Sequence, residues 1–415
     1  MGRASFRQAV ILQVLPALNG GGVERGTVEM AEAITKAGGK ALVVSAGGKL
    51  LPQLRRAGGQ HIPLPVGKKD VISLYRHTQA LKRIIEAEGV DVVHARSRAP
   101  AWCARWAARK VGRALVTTWH GVHGETFPGK KYYNAVLASG DRVIAISEFI
   151  AQRLHTHYNV QPDRLRLIPR GADMEYFDPL KVTGMQIHEL ALKWYIPIDS
   201  YVVMLPARLT EWKGHGWFFH TLGFLKKQGL LPANWLCVCV GEIRGHEPYA
   251  NKLLALAEEL GIASHVRLVG HCSQMSIAYA LADIVVIPSL KPEPFGRVAI
   301  EAQAMQCLVI AAAHGGLKET VMDGVTGFLV PPHNNEAMAA RLLEIMAMPL
   351  HSRQEMGIRA RDFIKEHYST SLMQQRTLSV YNELLPPSLQ LTQDDFLITQ
   401  ENGVMIEAES KVNTR

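Results

Sequence analysis

Ile287-Pro288-Ser289-Leu290-Lys291-Pro292-Glu293-Pro294-Phe295-Gly296-Arg297-Val298-Ala299-Ile300-Glu301-Ala302-Gln303-Ala304-Met305 is the most informative segment of the chain. The residues leading into it, Ile284-Val285-Val286-Ile287, form an unbroken apolar run, which predicts a buried strand. Prolines then punctuate a turn. Beyond Phe295-Gly296, the apolar residues Val298, Ile300, Ala302 and Met305 can line the face of a helix that rests on a sheet. Strand, turn and helix N-terminus together present backbone N–H groups and a helix dipole that favour anionic oxygens. Glu293 lies in the turn and Glu301 about two helical turns further on, so both carboxylates can address one ligand from the same side. Carboxylates accept hydrogen bonds from sugar hydroxyls, and amides donate them to phosphate. That pairing suits a nucleotide sugar.

With Pro294-Phe295-Gly296 between the two glutamates, the stretch resembles the Glu-x7-Glu signature of the retaining group 1 (family 4) glycosyltransferases. The run Gly315-Gly316-Leu317-Lys318-Glu319-Thr320-Val321, followed by Asp323-Gly324 and Thr326-Gly327-Phe328-Leu329-Val330, strengthens the resemblance. It implies the α/β fold called GT-B, in which two doubly wound Rossmann-like domains face a cleft and a C-terminal helix crosses back to the first domain. It also implies sugar transfer with retention of anomeric configuration. A nucleotide-diphosphate sugar is then the substrate, and no cofactor is required.

At 415 residues the chain is long enough for two or three domains. Its 47% hydrophobic and 20% charged content is that of a water-soluble globular protein. The net charge of +9 is unevenly spread: residues 1–180 carry 26 Lys and Arg against 14 Asp and Glu, the remainder 20 against 23. A basic first half suits an anionic partner such as a membrane surface or a phosphorylated acceptor. Nucleic acid is disfavoured, since no reader motif accompanies the charge. The five cysteines are scattered without a Cys-x-x-Cys pair, which predicts a reducing, cytoplasmic setting and no structural zinc. Arg3 and Arg7 before Ala9–Leu12 have the look of a secretory leader, but Gln13 and Pro16 interrupt the run, so it is read as the first strand. No run approaches the ~20 apolar residues of a membrane span.

Along the chain, Ala9–Leu15 predicts a strand, Gly20-Gly21-Gly22 a loop, Val23–Ala37 a helix and Lys40–Ser45 a second strand. The Gly20-x-Gly22-x-x-x-Gly26 spacing also fits a dinucleotide fingerprint. That reading needs an acidic residue after the second strand, where Ser45-Ala46-Gly47 stands instead. The resemblance implies instead that this glycine loop lets the backbone approach the diphosphate or bound sugar, which only glycine permits sterically. Further strands are predicted at Asp91–Ser97 and Ala114–Trp119, with His94 and Arg96 on the first and His120 ending the second. Between them, Pro100–Arg113 is a basic helix carrying Trp102 and Trp106. With Lys68, Lys69, Lys130 and Lys131 it composes a surface suited to anionic lipid, and a solvated helix with its tryptophans in the core fits the same residues equally well. Ile168-Pro169-Arg170-Gly171-Ala172-Asp173 resembles the family's Ile-Pro-Asn-Gly-Val-Asp segment, with Arg170 where Asn is usual. Ala207-Arg208-Leu209 and Lys213-Gly214 resemble its Gly-Arg-Leu-x-x-x-Lys-Gly loop, with Ala207 in place of Gly.

The expected division is an acceptor-side domain at 1–184, a donor-side domain at 185–370, a crossover helix at 371–385 and a polar tail at 386–415. By resemblance, Arg208, Lys213, Glu293 and His120 carry the catalysis. Gly21, Gly22, His271, Phe295, Gly296, Arg297 and Glu301 hold the donor, while His94 and Arg96 sit on the acceptor side. His271 and His314 are equally compatible with ordinary turn residues. Absence of an Asp-x-Asp motif predicts metal-independent transfer. The acceptor is expected to be an envelope glycan or glycolipid, such as a lipopolysaccharide core or polysaccharide precursor, at the inner face of a membrane. Truncating Arg208 or Lys213 is expected to harm turnover far more than stability. A nucleotide-sugar epimerase and a non-catalytic nucleotide-sugar-binding protein remain as alternatives. The first would act on donor alone, and the second would bind donor and never release a nucleoside diphosphate.

Overall fold

The structure is a computed structural model that describes residues 7–126 and 129–392. The tail expected from 393 onward lies outside these residues. The described residues fall into two compact units, one of residues 7–116 with 377–392 and the other of residues 117–376.

Among the described residues, seven strands compose the first sheet: β1 (Val10–Val14), β2 (Lys40–Ser45), β3 (Gln60–Pro63), β4 (Val92–Ala95), β5 (Ala114–Trp119), β6 (Arg142–Ala145) and β7 (Leu165–Leu167). Their order is β3-β2-β1-β4-β5-β6-β7. Six strands compose the second: β8 (Tyr201–Pro206), β9 (Trp235–Val240), β10 (Val266–Gly270), β11 (Ile284–Ile287), β12 (Leu308–Ala312) and β13 (Phe328–Val330), in the order β10-β9-β8-β11-β12-β13. The paired strands run parallel with helices between them. Both sheets therefore have the doubly wound arrangement anticipated from the alternating apolar runs. In each, strand order reverses beside the first strand, the point where ligands of such sheets bind at the strand C-termini.

Burial explains the composition of the strands. All five residues of β1, all six of β9 and all four of β11 are buried, since both sheet faces are covered by helices. Gln13, in the middle of β1, is tolerated because its Nε2 donates to the Thr27 carbonyl at 3.0 Å. Cys237 and Cys239 face the interior of β9 as small apolar residues. In the core of the second sheet, Phe218, Phe219 and Leu222 of the helix His215–Lys227 pack with Leu205, Ile310 and Leu342. Each such fully buried side chain contributes about 1.5–3 kcal/mol.

Helix boundaries follow local chemistry. Asp70 accepts from the Ser73 amide and starts the helix Val71–Ala87. Ser147 accepts from the Ile150 amide at the start of Glu148–Tyr158. Thr183 and Gln186 form a capping box for Gly184–Lys193. The helix Thr370–Asn382 begins in the second unit and ends in the first, so it carries the chain back. Among the described residues, no helix is long and apolar enough to cross a membrane.

Candidate functional site

The turn after β11 brings the signature residues into one polar cluster. Glu293 is only 7% exposed, and its Oε1 accepts from Lys213 Nζ at 2.5 Å and from Ser289 Oγ at 2.5 Å. Backbone bonding fixes the turn: the Gly316 amide donates to the Glu293 carbonyl at 2.8 Å. His314 adds a contact to the Ser289 carbonyl through Nε2, at 2.7 Å. Burial lowers the His314 pKa, against the opposing pull of that carbonyl and of the Glu293 charge. The helix Arg297–Ala304 starts at Gly296, whose φ of +110° suits glycine. A Cβ there would come within 2.7 Å of Leu317 Cδ2. Phe295 is buried, with its ring 5.7 Å from that of Tyr368.

Lys213 reaches the cluster from the loop after β8. The next residue, Gly214, has φ +80°, and a Cβ on it would collide with the Pro288 carbonyl. A glycine is therefore required where the β8 loop passes under the β11 turn. Leu290 N donates to the Trp212 carbonyl at 2.7 Å and ties the two loops together. The Lys213 ammonium lies 4.3 Å from the centroid of the Trp212 ring, which gives the cation an aromatic floor. Arg208, on the same loop, is exposed. His215 is fully buried at the start of the following helix, beside Tyr249. Burial, with a smaller push from Lys213, lowers its pKa to about 4 against the pull of the Thr210 backbone, so its ring is neutral.

Glu301 lies one helix turn beyond Arg297, whose Nη2 donates to its Oε1 at 2.8 Å. The Tyr279 hydroxyl approaches the other carboxylate oxygen at 3.4 Å. Complete burial, then the neighbouring Glu301 charge, raises the Tyr279 pKa well above the phenol range. His271 is exposed in the turn after β10. With Lys193, Trp194, Arg267 and Gln274 it lines a pocket of about 300 Å³.

Three further observations concern the strands of the seven-stranded sheet. His120 follows β5, and its Nδ1 lies 2.8 Å from Arg170 Nη2. Ser147 Oγ donates to the Pro294 carbonyl at 2.6 Å, and Glu319 accepts from the amides of Glu148 and Phe149 at 2.7 and 2.9 Å. All these residues belong to the second unit. In the first unit, Gly21 caps the helix Gly22–Lys36 after Gly20 at φ +126°. His94 and Arg96 are buried there, and both are bonded to the Tyr381 hydroxyl, with His94 Nδ1 at 2.6 Å. Burial lowers the Arg96 pKa, although Tyr381 opposes this.

The structure thus joins Lys213, Glu293, Phe295, Gly296, Arg297 and Glu301 around one turn and its helix. Gly21, Gly22, His94 and Arg96 belong to the other unit. Sequence reasoning did not find Ser289, Trp212 or Tyr381, because a serine, a tryptophan and a tyrosine in these places carry no motif. Among the described residues, no group of three or more His, Cys, Asp or Glu is arranged to hold a metal ion.

Comparison with known proteins adds two family matches. The family described as Glycosyl transferases group 1 matches residues 189–363, and that described as Glycosyltransferase Family 4 matches residues 20–176. A crystal structure of a glycosyltransferase from Rickettsia africae shares 33% identity at a TM-score of 0.84, covering 92% of this chain and 100% of that one. HepE from Anabaena, solved in complex with UDP and glucose, shares the fold at a TM-score of 0.76 with 21% identity, over 89% and 98% of the two chains. D-inositol 3-phosphate glycosyltransferase 1 of Catenulispora acidiphila is 33% identical over 260 residues, 59% of this chain and 61% of that protein. The corresponding protein of Corynebacterium glutamicum is 32% identical over 241 residues, and the match spans 55% of its length.

Proposed function

The chain belongs to the group 1 glycosyl transferases of family 4, and on that premise we propose that it transfers a sugar from a nucleotide-diphosphate donor to an envelope glycan or glycolipid, with retention and without a metal ion. One observation carries the reading: the Lys213 ammonium, the Glu293 carboxylate and the start of the helix Arg297–Ala304 converge on one turn. Breaking the anomeric C–O bond builds negative charge on the departing diphosphate and positive charge on the sugar ring. Lys213, Arg208 and the helix N-terminus stabilise the first charge. Glu293 holds the sugar hydroxyls, Glu301 the ribose and the His271 turn the base. UDP-glucose bound to HepE supports a nucleotide sugar as the donor class.

In this proposal residues 185–370 serve the donor and residues 1–184 the acceptor, with Gly21, Gly22, His94 and Arg96 shaping the acceptor side. The acceptor is delivered at an anionic membrane surface, inside the cell. Val71, Ile72 and Tyr75 support this: they are 81%, 64% and 65% exposed in the first turns of one helix, beside exposed Lys68, Lys69 and Arg76. Apolar side chains ringed by cations suit the interface of an anionic bilayer.

The test is a panel of nucleotide sugars screened by thermal shift, since a ligand of the native state raises apparent stability. It is followed by assay of nucleoside-diphosphate release with acceptor, in chelator and with added manganese. Donor binding with release in chelator is the expected result. No stabilisation by any nucleotide sugar, or release only with manganese, would count against the proposal.

A further inference from the structure

Pro292 and Pro294 on either side of Glu293 leave the turn after β11 little freedom of its own. Proline fixes its own φ, and the residue before a proline is held to an extended ψ. Between Glu293 and the helix Arg297–Ala304, ψ of Pro294 is therefore the first torsion that proline chemistry does not restrict. The Pro294 carbonyl turns with that torsion. Its partner is Ser147 Oγ, which donates at 2.6 Å from a fully buried position. A hydroxyl has one hydrogen and two lone pairs. At Ser147 one lone pair takes the Ile150 amide at 3.1 Å, as the cap of the helix Glu148–Tyr158, and the hydrogen goes to Pro294.

We propose that Ser147 and Glu319 are positioning residues that set the Glu293 carboxylate at a fixed angle to the N-terminus of the helix Arg297–Ala304. Glu319 completes the hold from the other side. Its carboxylate oxygens accept from the amides of Glu148 and Phe149 at 2.7 and 2.9 Å. These are the first free N–H groups of the helix that Ser147 caps. The Gly316 amide, from the same loop as Glu319, donates to the Glu293 carbonyl at 2.8 Å. Hydrogen bonds thus close a ring from Glu293 through Gly316, Glu319 and Ser147 to Pro294. Loop and turn can touch because a Cβ is missing at two places. One on Gly315 would strike the Glu293 backbone, and one on Gly316 the Phe295 backbone. Tyr368 steadies the same loop, its hydroxyl donating to the Glu319 carbonyl at 2.8 Å and its ring lying beside Phe295. All of these residues belong to the second unit. In the function proposed above, Glu293 holds the sugar and the helix start the diphosphate, so the angle between them aligns the bond that breaks. The role in transfer rests on that reading, while the hold on the turn does not.

The two are tested separately. Glycine serves nearly as well as serine at a helix N-cap, whereas alanine does not. Ser147→Gly therefore removes the Pro294 bond and spares the helix, while Ser147→Ala harms both. Hydrogen exchange is followed by mass spectrometry on the full chain without substrate. Segments 293–297 and 315–320 of Ser147→Gly should exchange about 2–10-fold faster than native, the weight of one hydrogen bond. Ser147→Thr keeps the hydroxyl and should restore native exchange. Rates unchanged in Ser147→Gly overturn the proposal. Turnover is measured with UDP-glucose, or with whichever nucleotide sugar of the panel stabilises the protein more. In Ser147→Gly and Ser147→Ala alike, kcat should fall about 10–10²-fold, as for a misplacement of about 1 Å, with donor KM within about threefold. Glu319→Gln should lower kcat too, and joined to Ser147→Gly it should lose less than the product of the single effects. A loss in Ser147→Ala alone traces to the helix cap and overturns the role in transfer. So does kcat within about twofold of native in Ser147→Gly, whether or not KM rises. Failure of every nucleotide sugar to bind falls on the function proposed above, and exchange still decides whether Ser147 holds the turn.

Discussion

Replacing Lys213 tests the site through stability and rate together. The Lys213–Glu293 pair is largely withdrawn from water, with side chains 14% and 9% exposed, so solvent screens it little. Lys213→Ala leaves a carboxylate buried with only Ser289 Oγ among its side-chain donors described above. Removing one partner of a buried pair costs about 3–5 kcal/mol. Glu293→Gln leaves a cation on a flexible stem over the Trp212 ring, and the lost charged hydrogen bond costs about 1.5–3 kcal/mol. The double variant Lys213→Ala/Glu293→Gln removes both charges, so it should cost less than the sum by about 1–3 kcal/mol. Urea unfolding followed by tryptophan fluorescence measures all three. Nucleoside-diphosphate release in the same Lys213→Ala protein should fall about 10²–10³-fold, the size expected for loss of one fixed donor to developing charge. Arg208→Ala is the contrast: the residue is exposed, so stability should hold within about 0.5 kcal/mol while turnover drops. Additivity of the two single variants to within about 0.5 kcal/mol would show that the pair does not couple. Turnover near the native rate in Lys213→Ala would refute the role given to its charge.

Two more outcomes are expected. His215 has its pKa lowered to about 4, chiefly by burial, against about 6.5 in the unfolded chain. Between these values the unfolded state binds the extra proton, so His215 withdraws roughly 3 kcal/mol of stability as pH falls through that window. Melting temperatures from pH 7.5 to 4.5 should therefore fall less steeply in His215→Leu than in the native protein. His61, His77 and His314 are shifted in the same direction, so a shallower slope remains, and an unchanged slope would contradict the assignment. Tyr381→Phe removes the hydroxyl that bonds both His94 and Arg96 in the interior of the first unit. It should lower stability by about 1–3 kcal/mol in urea unfolding. A change under about 0.5 kcal/mol would mean that Arg96 finds another partner at no cost.

The alternation of strands and helices is written locally in the chain, because each buried strand is a short continuous apolar run and the helices carry a spaced apolar face. Ala9–Leu15 became β1 (Val10–Val14), Trp235–Gly241 became β9 (Trp235–Val240), and Ser371–Leu385 became the helix Thr370–Asn382. Glu293 and Glu301 were legible as a unit because a turn and one helix connect them. Partnerships between residues far apart in the chain emerge only once it is packed. Lys213 and Glu293 are 80 residues apart, His120 and Arg170 are 50, and His94 and Tyr381 are 287. Such pairs depend on which strand lies beside which and on where each loop leaves its strand. Local propensity and periodicity do not encode that order. For Lys213 the sequence therefore suggested a cation available to a ligand, whereas the fold makes it also half of a buried ion pair. For Arg170 it showed only a departure from a usual asparagine, whereas the fold sets its guanidinium beside a ring nitrogen of His120.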